Sequence, residues 1–240
     1  MVFIGTAGWS LPKPAAQRFP EQGSSLTRYA AVFDGVEVNS SFYRRHKADT
    51  WARWADSVPD DFRFAVKAPK TITHEKRLEG IKAELDDFLA DIGHLGDKLG
   101  TVLLQLPPSL VFDETRANTF LECLITRHSG QIVIEPRHRS WGTEVASALL
   151  REHGVTRVLA DPEAVPFERQ PGEFLYLRLH GSPRIYYSHY EREALEGYAR
   201  LLKAAPDDSW CIFDNTASGA AIVNALELLD LAQKEGRPNR

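Results

Sequence analysis

Short apolar runs rich in Val, Ile, Leu and Phe recur along the whole chain, and each is broken at its C-terminal end by Gly, Pro or polar residues. Runs of this length that are apolar at nearly every position read as strands buried on both faces. Eight are present, at 2–7, 35–39, 62–68, 101–106, 131–135, 156–161, 174–180 and 210–214. Segments with helical spacing lie between them, at 26–33, 82–92, 115–127, 144–152, 190–203 and 220–234. In the third of these, Phe120, Cys123, Leu124 and Arg127 fall on one predicted face, an apolar stripe with a charged edge.

Regular alternation of strand and helix specifies a parallel sheet, and right-handed crossovers can close eight tilted strands into a barrel. The predicted fold is therefore α/β, a TIM-type (β/α)8 barrel, with a doubly wound open sheet as the alternative. Two connections depart from the ideal. The segment 161–172, DPEAVPFERQPG, carries prolines at 162, 166 and 171 that leave no room for a crossover helix, and 44–61 holds only a short helical stretch around Trp51 and Trp54. No repeat, low-complexity tract or linker divides the 240 residues, so a single domain over 1–240 is expected.

In such a barrel the chemistry is built where strands end. The second run supplies Glu37, Asn39, Tyr43 and Arg44, the third Lys67 and His74, the fourth Gln105 and the fifth Glu135, Arg137, His138 and Trp141. The sixth offers Asp161, the seventh Arg178 and His180, the eighth Asp214 and Asn215. Residues two apart on a strand share a face, so Glu37 goes with Asn39, Glu135 with Arg137 and Arg178 with His180. If Val38, Leu177 and Leu179 pack outward, these polar groups point into the barrel mouth and must form one hydrogen-bonded network, because an unpaired buried charge costs several kcal/mol. The alternative use of Glu37, Lys67, Glu135 and Arg178 is a salt-bridge layer plugging the barrel end, for which so many polar groups exceed the need.

Charge changes the picture of what binds there. The net charge of −4 argues against a protein that coats duplex nucleic acid. Yet the windows 39–47, 67–77, 137–141 and 178–187 contain eleven Lys or Arg against one acid, Glu75, leaving eighteen basic and thirty-two acidic residues elsewhere. A cationic mouth inside an acidic shell implies an anionic ligand, and the guanidiniums of Arg137 and Arg178 suit a carboxylate or phosphate. Trp9, Phe42, Tyr43, Trp141, Tyr186 and Tyr187 lie beside these cations, so stacking on a base or sugar is also open.

Candidate proton-transfer groups are His180, His138 and His74, with Glu135 and Asp214 as carboxylate partners. Glu37, Glu135, His138, Asp161, His180 and Asp214 could equally ligate a divalent metal, although no metal-binding spacing is present and the neighbouring cations oppose one. No GxGxxG or P-loop motif follows the first strand, which argues against a nicotinamide cofactor. Cys123 and Cys211 match no zinc or redox spacing and are read as reduced core residues. The N-terminus lacks the pattern of a signal peptide and no apolar run is long enough to span a bilayer, so a cytoplasmic protein without membrane contact is expected.

Taken as a set, IGTAGWS at 4–10, VEVNSSFYR at 36–44, FRFAVKAPKTITH at 62–74, LLQLPPS at 103–109, IEPRHRSW at 134–141, YLRLHG at 176–181 and FDNTASGAAIVNA at 213–225 resemble the YecE-like family, domain of unknown function 72. The resemblance runs in order along nearly the whole chain and implies a TIM-type barrel with shortened or irregular helices, likened to the barrel of endonuclease IV. It implies no established activity. The expected function is an enzyme of the hydrolase or lyase type acting on a phosphate-bearing substrate, such as a nucleotide, sugar phosphate or nucleic acid. In it Lys67, Arg137 and Arg178 hold the anion, and His180 with Glu135 or Asp214 moves the proton. The alternative is a protein that binds a small anion or single-stranded nucleic acid without turnover.

Overall fold

The computed structural model describes residues 2–169 and 172–234. Among these residues nine strands, all paired in parallel, form two sheets. In the first, β1 (Phe3–Thr6), β9 (Trp210–Phe213), β8 (Tyr176–Leu179) and β7 (Leu159–Asp161) lie in that order; in the second, β2 (Gly35–Val38), β3 (Arg63–Lys67), β4 (Leu99–Gln105), β5 (Gln131–Glu135) and β6 (Thr156–Arg157) do. The predicted strand at 156–161 is thus two strands, interrupted only at Val158, each paired with a different sheet. Just beyond β1, Ala7 forms a parallel bridge with Glu37 of β2, and the Gly8 N–H donates to the Glu37 carbonyl at 2.8 Å.

Among the described residues eight α-helices connect or flank the strands: α1 (Ser25–Ala30), α2 (Ser40–Tyr43), α3 (Ala48–Asp56), α4 (Lys82–Ile92), α5 (Glu114–Ile125), α6 (Glu144–Glu152), α7 (Arg192–Lys203) and α8 (Ala220–Lys234). Side chains cap the starts of α5 and α6: Asp113 accepts from the Arg116 N–H and Thr143 from the Ala146 N–H, each satisfying a donor that the first helical turn leaves free. In α5 the buried residues are Ala117, Phe120, Leu121 and Leu124, while Cys123 is only partly buried and Arg127 reaches Asp86 at 2.8 Å. The apolar stripe is therefore centred one residue away from the predicted face. Tyr190, placed in a helix by its spacing, precedes α7, because the chain is still extended at the N-cap Glu191 (φ −71°, ψ 157°); the Tyr190 N–H donates to the Asn224 side chain at 3.0 Å. Between β7 and β8 no helix occurs among the described residues, as the prolines required.

Strand alternation sorts the apolar residues into two cores. Ile4, Val36, Val38, Phe64, Val66, Leu104, Ile134, Leu177, Leu179 and Phe213 pack with the helices in a large outer core. Phe3, Ala65, Leu103, Val133, Val158, Tyr176, Trp210 and Ile212 form a separate inner cluster drawn from both sheets. Trp210 fills its lower end: a Cβ on Gly35 would come within 2.7 Å of the indole and one on Gly100 within 2.6 Å, so only glycine admits the ring at both positions. Above the inner cluster, on the same strand faces and toward the C-terminal ends, the residues become polar.

Candidate functional site

Glu37, Glu135 and Arg178 occupy strand positions whose alternate neighbours, Val36, Val38, Ile134, Leu177 and Leu179, belong to the outer core. Their side chains consequently point to the inner side, and the structure joins them. The Arg178 guanidinium is fully buried and held bidentately by Glu37, Nε to Oε2 at 2.9 Å and Nη2 to Oε1 at 2.6 Å. Its Nη1 donates to Glu135 Oε2 at 2.5 Å and Nη2 also to Asp214 Oδ2 at 3.0 Å. Tyr176, two residues before Arg178 on the same face, donates its hydroxyl to Glu37 Oε2 at 2.8 Å.

His180 completes the network. Its Nδ1 lies 3.0 Å from Asp214 Oδ2, and its Nε2 lies 2.9 Å from Glu135 Oε1 and 3.0 Å from Arg137 Nη2. Arg137 itself pairs with Glu135 at 2.6 Å. A proton on Nε2 can therefore be donated to Glu135, and a bare Nε2 can accept from Arg137, so this nitrogen has a partner in either state. Tyr186 stands edge-on to the imidazole, with ring centroids 5.8 Å apart.

The electrostatics follow from burial set against partners. Burial alone pushes the carboxyls of Glu135 and Asp214 up, but Arg178 and His180 outweigh it and hold both below the usual carboxylate range, with Arg137 assisting at Glu135. Arg178 is raised well above its ordinary value because Glu37, Glu135 and Asp214 overcome its desolvation. Tyr176 is likewise pushed well up by burial and by Glu37, so its proton stays on the phenol. Lys67 goes the other way. Burial and Arg178 lower it to about 8, with Glu37, Asp214 and Glu135 offsetting only part.

Lys67, at the end of β3, donates to Gln105 Oε1 at 2.6 Å and stands 4.3 Å from the centre of the Phe42 ring. His74 packs edge-on to that same ring, and burial and Lys67 both lower its pKa. Buried polar atoms with no hydrogen-bond partner among the described residues include Asn39 Oδ1, Arg137 Nε and Asn215 Oδ1.

Other residues chosen from the sequence lie elsewhere or serve the fold. Arg178 cannot hold a ligand anion as expected, because it is fully buried and its donors face three protein carboxylates. Trp141 is part of the outer core and gives its indole N–H to the Leu110 carbonyl at 3.0 Å, so it presents no ring to a ligand. His138 caps a short turn, accepting from the Ser140 N–H at 3.2 Å. Asn215 is fully buried and spends its amide on Ser188 and Asn224. Tyr43, 73% exposed, and Arg44 line a separate cleft of about 240 Å³ with Arg45, Trp51, Lys70 and Phe88. Asp161 accepts from the Tyr198 hydroxyl, outside the network.

No three His, Cys, Asp or Glu among the described residues are arranged to hold a metal ion: Glu37, Glu135 and Asp214 are turned onto Arg178, and Asp161 lies apart from them. Tyr176 was missed by the sequence reading, although its position two before Arg178 was the signal. Arg178, Glu37 and Glu135 form a fully buried salt-bridge layer, and Asp214, Lys67, Gln105 and Arg137 lie at its less buried edge.

The fold and site define a parallel α/β protein with a buried ion network at the strand C-termini. The family model described as protein of unknown function DUF72 matches residues 3–239, and the chain belongs to that family. It is 31% identical to the UPF0759 protein YecE of Escherichia coli (strain K12), over 77% of this chain and 68% of that protein. It is 25% identical to the UPF0759 protein YunF of Bacillus subtilis (strain 168), over 98% of this chain and 96% of that protein. A crystal structure of a DUF72 family protein from Thermotoga maritima MSB8 superimposes with a TM-score of 0.81 and 27% identity, covering 97% of this chain and 99% of that one. One from Enterococcus faecalis V583 gives a TM-score of 0.80 at 20% identity, covering 100% of this chain and 99% of that one, a likeness of fold.

Proposed function

We propose that the protein is an enzyme of the hydrolase or lyase type acting on a small phosphate-bearing substrate, with His180 as the proton-transfer group and Arg137 as the anion contact. One observation carries this reading: Nε2 of His180 lies between an acceptor, Glu135 Oε1, and a donor, Arg137 Nη2, while Nδ1 is anchored on Asp214. A ring held this way gains or loses the Nε2 proton without losing its position, which is what a general acid–base requires. Arg137 is the cation suited to a ligand, because its side chain is 15% exposed and its buried Nε has no hydrogen-bond partner among the described residues, whereas Arg178 is saturated. Tyr186 covers His180 and holds a left-handed φ of 70°, a strained conformation for a tyrosine, so a substrate that displaces its ring reaches the imidazole.

The fold belongs to this proposal. The two sheets read best as one closed TIM-type barrel of eight strands in a single domain, with β6 and β7 as one interrupted strand. The inner cluster shared by both sheets and the Ala7–Glu37 bridge support closure.

A thermal-shift series tests the function. Inorganic phosphate, nucleoside monophosphates and sugar phosphates are titrated against wild type, Arg137→Ala and His180→Asn. Stabilisation grows with the logarithm of ligand concentration over Kd, so millimolar ligands register. At least one phosphate ester should stabilise wild type and His180→Asn but not Arg137→Ala. With the compound so found as substrate, His180→Asn should lower kcat by about 10²–10⁴-fold. Equal stabilisation of wild type and Arg137→Ala would remove Arg137 from the site. Protection by single-stranded oligonucleotides alone would assign the exposed Tyr43, Tyr186 and Tyr187 to base stacking without turnover.

A further inference from the structure

Lys67 differs from every other cation of the network. Each carboxylate there already has its cation: Glu37 is bound by Arg178, Glu135 by Arg178 and Arg137, and Asp214 by Arg178 and His180. Among the described residues Lys67 forms no ion pair within 4.0 Å, although its side chain is buried at the same strand ends. Its contacts are one amide oxygen, Gln105 Oε1 at 2.6 Å, and the face of Phe42.

An ammonium has three N–H donors and here finds one acceptor; an amine needs only that acceptor and is left with a lone pair. The backbone fixes the position, since Ser41 Oγ donates to the Lys67 carbonyl at 2.7 Å and the Ala68 N–H donates to the Leu103 carbonyl at 2.8 Å. A desolvated lysine beside another cation and against an apolar ring is the setting in which the amine becomes a nucleophile.

We propose that Lys67 is such a nucleophile and forms an imine with the carbonyl carbon of a small phosphorylated aldehyde or ketone. The substrate class rests on the anion contact at Arg137 argued above; the nucleophile does not. The Nζ–C bond forms as the carbonyl π pair moves to oxygen. One Nζ proton passes to that oxygen, and a second, from the network at His180, lets it leave as water. The C–O bond breaks and a protonated imine remains, an electron sink for lyase chemistry at the adjacent carbon. Nothing is oxidised or reduced.

Reductive trapping tests this on the whole protein. Glycolaldehyde phosphate and uncharged glycolaldehyde are each incubated with wild type, Lys67→Arg and Arg137→Ala in the presence of cyanoborohydride, and the adduct is located by peptide mass mapping. Lys67 should be labelled at least tenfold faster than any other lysine, and faster by the phosphorylated probe. Lys67→Arg should carry no adduct at 67. The rate at Lys67 should rise through about pH 8, where burial and Arg178, against Glu37, Asp214 and Glu135, bring its titration, with His74 and Arg137 as the other charged or titratable groups at this edge. Labelling of Lys67 no faster than surface lysines by either probe would overturn the nucleophile and leave the anion reading standing. Rapid labelling of Lys67 by both probes alike, unchanged in Arg137→Ala, would overturn the phosphate class and keep the nucleophile. The decision is read from the wild-type map, so it survives a variant that fails to fold.

Discussion

Lys67 is 9% exposed with an amide and a ring for neighbours, whereas Arg178, fully buried, faces three carboxylates. The first arrangement opposes charge and the second enforces it. For Lys67 the fall from an ordinary 10.5 to about 8 corresponds to about 3 kcal/mol of disfavoured charge burial. The unfolded chain binds the extra proton between those two values, so wild-type stability rises with pH across the window. Lys67→Met removes the term: it should be more stable than wild type by about 1–3 kcal/mol below pH 8 in urea unfolding, the advantage shrinking toward pH 10.5. An advantage that does not change with pH would show that Lys67 is not desolvated. The alternation of polar residues at strand ends was legible in the sequence because a period of two is local. Which guanidinium would take the carboxylates was not, because Arg137 and Arg178 are chemically alike and only the packing around β8 buries one of them.

Between β1 and β2 the ladder is opened by a side chain from α1. The Tyr29 hydroxyl, fully buried, accepts from the Thr6 N–H at 2.8 Å and donates to the Gly35 carbonyl at 3.1 Å, standing in for a direct interstrand bond. Tyr29→Phe keeps the ring packed on Phe33 and Phe62 but leaves two buried backbone groups unpaired. It should cost about 1–3 kcal/mol in urea unfolding, with the m-value unchanged. A loss below about 0.5 kcal/mol would mean that the two strands close up without the hydroxyl. The strands were readable from their apolar runs, and Lys82–Ile92, Glu144–Glu152 and Ala220–Lys234 from helical spacing, because each carries its own periodicity. Tyr29 as a bridge and Val158 as an interruption were not readable. Each is set by a partner that is remote in sequence, and α2 was missed because four residues carry too little period to detect.

At the scale of the molecule, the Arg178 network is the polar counterpart of the inner apolar cluster. Glu37 and Glu135 belong to the second sheet, Tyr176 and Arg178 to the first, and Asp214 directly follows the first sheet's β9, so every bond from Arg178 to the two glutamates also ties sheet to sheet. Removing the cation alone is costly, because it leaves buried carboxylates facing one another, and Arg178→Met should lose about 3–5 kcal/mol. The pH dependence separates that cost from a simple packing defect. Glu135 and Asp214 are held below the usual range in the wild type, so their contribution is complete above their unfolded values and is lost only as pH falls through the lower folded ones. In Arg178→Met the same carboxyls have lost their principal cation and take up protons more readily when folded than when unfolded, so acidification should narrow the gap to wild type. A gap independent of pH would assign the loss to packing. If the sheets close into one barrel through this network, far-UV circular dichroism and tryptophan fluorescence, to which Trp210 of the inner cluster and Trp51 and Trp141 of the outer core all contribute, should report one coincident urea transition in both proteins. Two separated transitions would show that the sheets unfold as independent units, and closure would then not be what the buried arginine secures.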